Sequence, residues 1–141
     1  MGRDEMRPFI LAVLVLLLSG CTSLDSIRAK NREGLSRLAV GITKDKVFEI
    51  MGNKTMIARL WSPESEAVKQ INNPYRVETL KGKDDQIHEV LFYYTDLKSY
   101  DGAITDDELT PIVLTDGLVV GWGWSFLNAN VTKYHYQIDI R

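Results

Sequence analysis

Leu38-Ala39-Val40-Gly41-Ile42-Thr43-Lys44-Asp45-Lys46-Val47-Phe48-Glu49-Ile50-Met51-Gly52 is the stretch on which the fold turns. Gly41 is free to adopt a left-handed conformation, which suits the end of a preceding helix. Thr43 has a side-chain oxygen placed to accept a backbone N–H and so to start the next helix, and Asp45 suits the positive end of that helix's dipole. Val47, Ile50 and Met51 fall on one face, and Gly52 stops the run. Working back, Leu24, Ile27, Leu35 and Leu38 form roughly one helical stripe, which Asn31 interrupts and Gly34 weakens. The reading is two helices joined by the turn Gly41-Ile42-Thr43. Neither is long enough to stand without a partner surface.

Downstream the period changes from helical to alternating. Thr55–Trp61, Tyr75–Leu80 and Gln86–Thr95 read as strands, the last two joined by the turn Gly82-Lys83-Asp84-Asp85. Ile112–Thr115 and Leu118–Leu127 read as a hairpin around Asp116-Gly117. In the second strand of that hairpin Leu118, Val120, Trp122, Trp124 and Phe126 share one side, and Gly121, Gly123 and Ser125 share the other. So bare a face implies a close approach or a sharp bend. Val131–Ile140 reads as a closing strand with one dry and one wet face. The fold class is therefore α+β, two N-terminal helices packed on an antiparallel sheet of about four to six strands.

The N-terminus is of a different kind. Phe9–Leu18 is ten apolar residues without a break, preceded by Arg3 and Arg7. A bilayer core takes roughly 20 residues, so this run fits the hydrophobic region of an export signal instead. It ends in Leu18-Ser19-Gly20-Cys21, which resembles the lipobox of bacterial lipoproteins: a Leu, two small residues and a Cys. The resemblance implies removal of residues 1–20 and lipid attachment to the Cys21 sulfur. It also implies anchoring through three acyl chains, where one chain alone binds only at ~10⁴ M⁻¹. Thr22, not Asp, follows the Cys, and in enteric-type bacteria that pattern implies passage to the outer membrane. The expected organisation is a signal peptide over 1–20, an acylated Cys with a polar tether over 21–32, and one domain over 33–141.

The run from Leu38 to Gly52 is similar to the signature of the BamE-like lipoproteins, also called the SmpA/OmlA family. That signature has a Gly-x-Thr turn, a Val on the following helix and a hydrophobic-Gly ending, met here by Gly41, Thr43, Val47 and Met51-Gly52. The resemblance is close over residues 35–52 and looser to about residue 95. Lys54 stands where family members usually have Pro. It implies a two-helix, antiparallel-sheet lipoprotein acting in cell-envelope or outer-membrane assembly, in which Gly41, Thr43 and Gly52 shape turns and form no site.

Function classes narrow by inventory. The chain has 141 residues, 26% of them charged, and a formal net charge of −2. With its basic residues scattered, nothing in it tracks a phosphate backbone, so nucleic acid is not an expected partner. One cysteine excludes an intramolecular disulfide or a Cys/His zinc cage. His88 and His135 are the only histidines, and neither lies in a nucleophile motif. No catalytic residue, cofactor or metal site is assigned. Asp101–Glu108 is the one acidic cluster, read as a solvated loop or helical cap, with calcium chelation as the alternative, though its spacing is not that of an EF-hand.

Tyr75 and Arg76 are candidate partner-binding residues, because Tyr and Arg dominate binding hot spots. The alternative is that Tyr75 packs in the sheet and Arg76 pairs with an acid. Trp122 and Trp124 are further candidates, with ordinary core as the alternative. The function expected is a non-catalytic protein-interaction module, lipid-anchored on the periplasmic side of the outer membrane through Cys21, with an envelope protein as partner. Two readings stay open beside it: a small-ligand binder using a pocket between the helices and the Trp-bearing sheet, and a cell-wall hydrolase.

Overall fold

A computed structural model describes residues 22–62, 65–81 and 86–130. In chain order the elements are β1 Thr22–Ser23, α1 Leu24–Leu35, α2 Lys44–Met51, β2 Met56–Ser62, β3 Ser65–Ile71, β4 Arg76–Lys81, β5 Ile87–Tyr94, β6 Leu109–Thr115, β7 Leu118–Trp122 and α3 Trp124–Ala129, with a 3₁₀ turn at Asp106–Glu108. They form an α+β fold with two sheets. One has the order β1-β2-β3, the other β4-β5-β6-β7. Every strand pairing is antiparallel except β1 with β2.

The four-stranded sheet is covered on both faces, and β5 is its axis. Because side chains alternate along a strand, the unbroken apolar run of β5 divides between two cores. Val90, Phe92 and Tyr94 join Leu109 and Val113 on one face and pack against Ile27, Ala58, Ile71 and Leu127. Leu91 and Tyr93 join Ile112, Leu114 and Val119 on the other, against Leu38, Val47 and Met51. A fully buried side chain of this size contributes roughly 1.5–3 kcal/mol. Tyr93 and Tyr94 thus belong to opposite cores. Tyr93 donates its hydroxyl to Gly52 O at 2.9 Å, and burial pushes that hydroxyl's pKa up.

The helices start where the sequence allows. Ser23 Oγ accepts from Ser26 N at 3.1 Å, and Thr43 Oγ1 accepts from Lys46 N at 3.3 Å. Gly52 ends α2 with φ +92°. Three expectations need correction. Most of the segment read as a tether over 22–32 is helix, because Ser23 caps α1 at once and Ile27 is buried. Gly41 does not end α1, which stops at Leu35. The link of residues 36–43 runs on, and Gly41, at φ +88°, docks it on β7: Gly41 N donates to Val119 O at 2.7 Å and Val119 N to Ile42 O at 2.9 Å. With the Thr43–Leu118 bridge this covers the β7 edge.

The third correction concerns the strand read as Leu118–Leu127. It ends at Trp122, Gly123 takes φ +86°, and the chain turns into α3. The bare face is explained by what folds back on it: a Cβ added to Gly121 would lie 2.5 Å from the Phe126 ring. The Asp116-Gly117 turn forms as expected, with φ +50° and +77°. β3 was not anticipated. The expected turn over residues 82–85, the closing strand Val131–Ile140 and the lipobox Leu18, Ser19, Gly20 and Cys21 lie outside the described residues.

Candidate functional site: an ordered loop with an exposed tyrosine

Between β5 and β6 the chain leaves the sheet at Thr95 and returns at Glu108. Loops that bury little apolar surface usually fluctuate, and this one is held by polar contacts. At its base Thr95 N and Asp96 N both donate to Glu108 O at 3.0 Å. The hydroxyls of Thr95 and Thr110 meet at 2.6 Å. Glu108 is 1% exposed, and its carboxylate turns inward. Oε1 accepts from Lys98 N at 2.7 Å and Oε2 from Thr105 N at 3.1 Å. One buried carboxylate therefore ties both limbs of the loop.

Further contacts fix the outside. Lys69 on β3 donates to Gly102 O at 2.8 Å. Lys98 and Asp96 pair at 2.7 Å, and that hydrogen bond, with the Leu97 N–H, holds the Asp96 carboxyl below its usual range. The 3₁₀ turn carries Asp106, which accepts from Arg76 on β4. At the apex Tyr100 is 93% exposed.

The candidates read from the sequence fall around this loop, with one exception. Arg76 lies with its guanidinium 4.0 Å from the Phe92 ring centroid, Nε 2.9 Å from Glu78 Oε1 and Nη1 on Asp106 Oδ1. Burial works against its charge, but Asp106 and then Glu78 outweigh that and leave its pKa raised. Tyr75 is half-buried against the first core, and its N–H donates to Phe92 O at 2.7 Å. Trp124 donates Nε1 to Leu109 O at 2.7 Å, immediately after the loop, and its ring lies 5.9 Å from that of Phe92. Arg76 and Trp124 are bonded at the loop and at its exit, and Tyr75 packs against the first core, so none of the three is a free surface. Trp122 is the exception: it packs against the second core, across the sheet from Trp124, because α3 carries Trp124 to the opposite face. Tyr100 was missed. The reading of the acidic cluster as a helical cap holds for Glu108, which lies three residues after Thr105 and accepts from its N–H at the start of the 3₁₀ turn.

Chemistry elsewhere is sparse. His88 is buried in β5 with Nδ1 3.1 Å from Thr115 Oγ1, and His135 lies outside the described residues. Among the described residues no group of three or more His, Cys, Asp or Glu side chains is placed to hold a metal ion. The Asp101–Glu108 carboxylates are occupied locally, Asp101 by Ala103 N, Asp106 by Arg76 and Asp107 by the Thr105 hydroxyl.

Glu108→Ala strands two or three backbone donors, each costing roughly 1–3 kcal/mol if left unmet. Water reaches most of a surface loop, so the expected loss is about 2 kcal/mol, concentrated locally. Hydrogen exchange at Lys98, Ser99 and Thr105 checks it. Unchanged protection at all three would show that the carboxylate does not hold the loop.

No curated protein and no solved structure matches the chain. A family model does, over residues 19–129, from the second residue of the Leu18–Cys21 motif to the last residue of α3. By that match the chain belongs to the family described as protein of unknown function DUF3192.

Proposed function

We propose that the protein is a non-catalytic interaction module, lipid-anchored through Cys21 on the periplasmic side of the outer membrane, whose loop from Thr95 to Glu108 recognises an envelope protein. The observation that carries this reading is the combination of a buried Glu108 carboxylate with a fully presented Tyr100. Ordering a loop before binding removes the entropy that a mobile loop would lose on association. Tyr supplies a large amphipathic contact with few rotatable bonds. Support for the anchor comes from the Leu18–Cys21 motif and the short apolar run before it. The anchor confines the loop to a thin layer and so raises its effective concentration for membrane-bound partners.

The BamE-like resemblance, with its helix pair before an antiparallel sheet, supports a role in envelope assembly. It does so only as an analogy, since fold does not imply function. Trp122 and Trp124 pack against opposite cores and do not line one pocket together.

The test is a photo-crosslinking residue at Tyr100 in native membranes, with exposed Ala29 on α1 as the reference position. A specific envelope protein captured from position 100 and not from 29 is expected. Identical products from both positions, or none from position 100, would sink the loop's role.

A further inference from the structure

β1 leaves almost no slack between Cys21 and the folded body. Thr22 pairs with Ala58 and Ser23 with Arg59, in parallel register along β2. Successive Cα atoms are about 3.8 Å apart, and Thr22 directly follows Cys21 in the chain, so the attachment point is one residue from β1.

β2 and β3 have one inward face, on which Ala58 and Ile71 are fully buried. By alternation the outward face carries Ile57 and Arg59 on β2 and Val68 and Gln70 on β3. The register sets Ile57 opposite Gln70 and Arg59 opposite Val68, so Ile57 and Val68 are diagonal neighbours. They are 61% and 65% exposed. Two β-branched apolar side chains thus stand in the open on the strand pair that the chain enters from Cys21.

We propose that this outward face of β2 and β3 docks on the bilayer that holds the Cys21 lipid. Ile57 and Val68 enter the boundary between headgroups and acyl chains, and Arg59, between them, meets anionic headgroups. The proposal rests on the reading of Cys21 as acylated. Two apolar side chains and one cation bind a membrane weakly on their own. Next to an anchor the contact becomes intramolecular, and a weak interaction suffices to set orientation. Val40, Val77, Ile87 and Leu118 are also exposed, but none lies in the sheet that contains β1.

The experiment uses the full chain, processed and acylated, in vesicles of phosphatidylethanolamine with phosphatidylglycerol. Cys21 is the only cysteine, so once it is acylated Val68→Cys or Val40→Cys supplies the one free thiol for a fluorophore. Quenching by lipids carrying a quencher near the headgroup is expected to be several-fold stronger at position 68 than at 40. Reversing the sign with Arg59→Glu is expected to weaken it. Flotation with the vesicles but equal quenching at the two positions overturns the docking face and leaves the anchor standing. Failure to float overturns the anchor and the docking face with it.

Discussion

Asn73→Ala is expected to cost about 3–5 kcal/mol of unfolding free energy, more than any other single side-chain deletion proposed for this fold. Asn31 and Asn73 are both buried, and their amides form a reciprocal pair. Asn31 Nδ2 donates to Asn73 Oδ1 at 2.9 Å and to Tyr94 O at 2.8 Å. Asn73 Nδ2 donates to Asn31 Oδ1 at 3.1 Å and to Met51 O at 2.8 Å. The four bonds join α1, the last residue of α2, the end of β5 and the loop that carries the cis Asn73–Pro74 bond.

Alanine at position 73 removes three of those bonds. It leaves the Asn31 oxygen, one Asn31 N–H and the Met51 carbonyl without partners. Each buried polar group left unmet costs roughly 1–3 kcal/mol, and partial relaxation or an entering water keeps the total in the lower part of the summed range. Urea unfolding followed by tryptophan fluorescence measures it. Asn31→Ala breaks the same pair from the other side. The double variant is therefore expected to lose about 1–2 kcal/mol less than the sum of the singles, as residues sharing one network do. A loss below about 1 kcal/mol for Asn73→Ala, or strict additivity in the double variant, would show that the pair is not a structural node.

Asn31 also shows which parts of the fold the sequence exposes. In the helical stripe of α1 it reads as a defect, because its partner lies 42 residues away and no local pattern points to it. Gly34 is similar: it weakens a helix locally, yet a Cβ there would lie 2.5 Å from Met51 Sδ, so the gap admits α2. What period and capping can report was legible. The caps at Thr43 and Gly52, the apolar run of β5 and the Asp116-Gly117 turn all follow from neighbours within a few residues.

Non-local choices were not legible. Gly121 and Gly123 were read together as the bare face of one strand, although the first makes room for Phe126 and the second turns the chain. Alternation of large and small residues is the same for a strand continuing through Trp124 and for one that stops at Trp122. Only the docking of α3 decides between them. The loop escaped for a related reason. Its sequence is acidic and polar, the ordinary composition of solvated chain, while its order depends on one carboxylate facing inward.

Cys21→Ser is expected to abolish lipid attachment completely, and the proper readout is mass and not fractionation alone. A hydroxyl in place of the thiol cannot form the thioether, so the variant keeps residues 1–20 or is released without lipid. Retention of those residues keeps Phe9–Leu18 on the chain, and that apolar run can itself hold a precursor on a membrane. Membrane association of the variant is therefore ambiguous until its N-terminus is read. The natural chain is expected to begin at Cys21 and to carry acyl mass. At ~0.8 kcal/mol per buried CH₂, two or more long chains make its release from a bilayer negligible. An intact Met1, or a free thiol at position 21 in the natural chain, removes the anchor. Without an anchor, Ile57 and Val68 become two exposed apolar side chains with no bilayer beside them, and the loop at Tyr100 loses the confinement that would raise its local concentration.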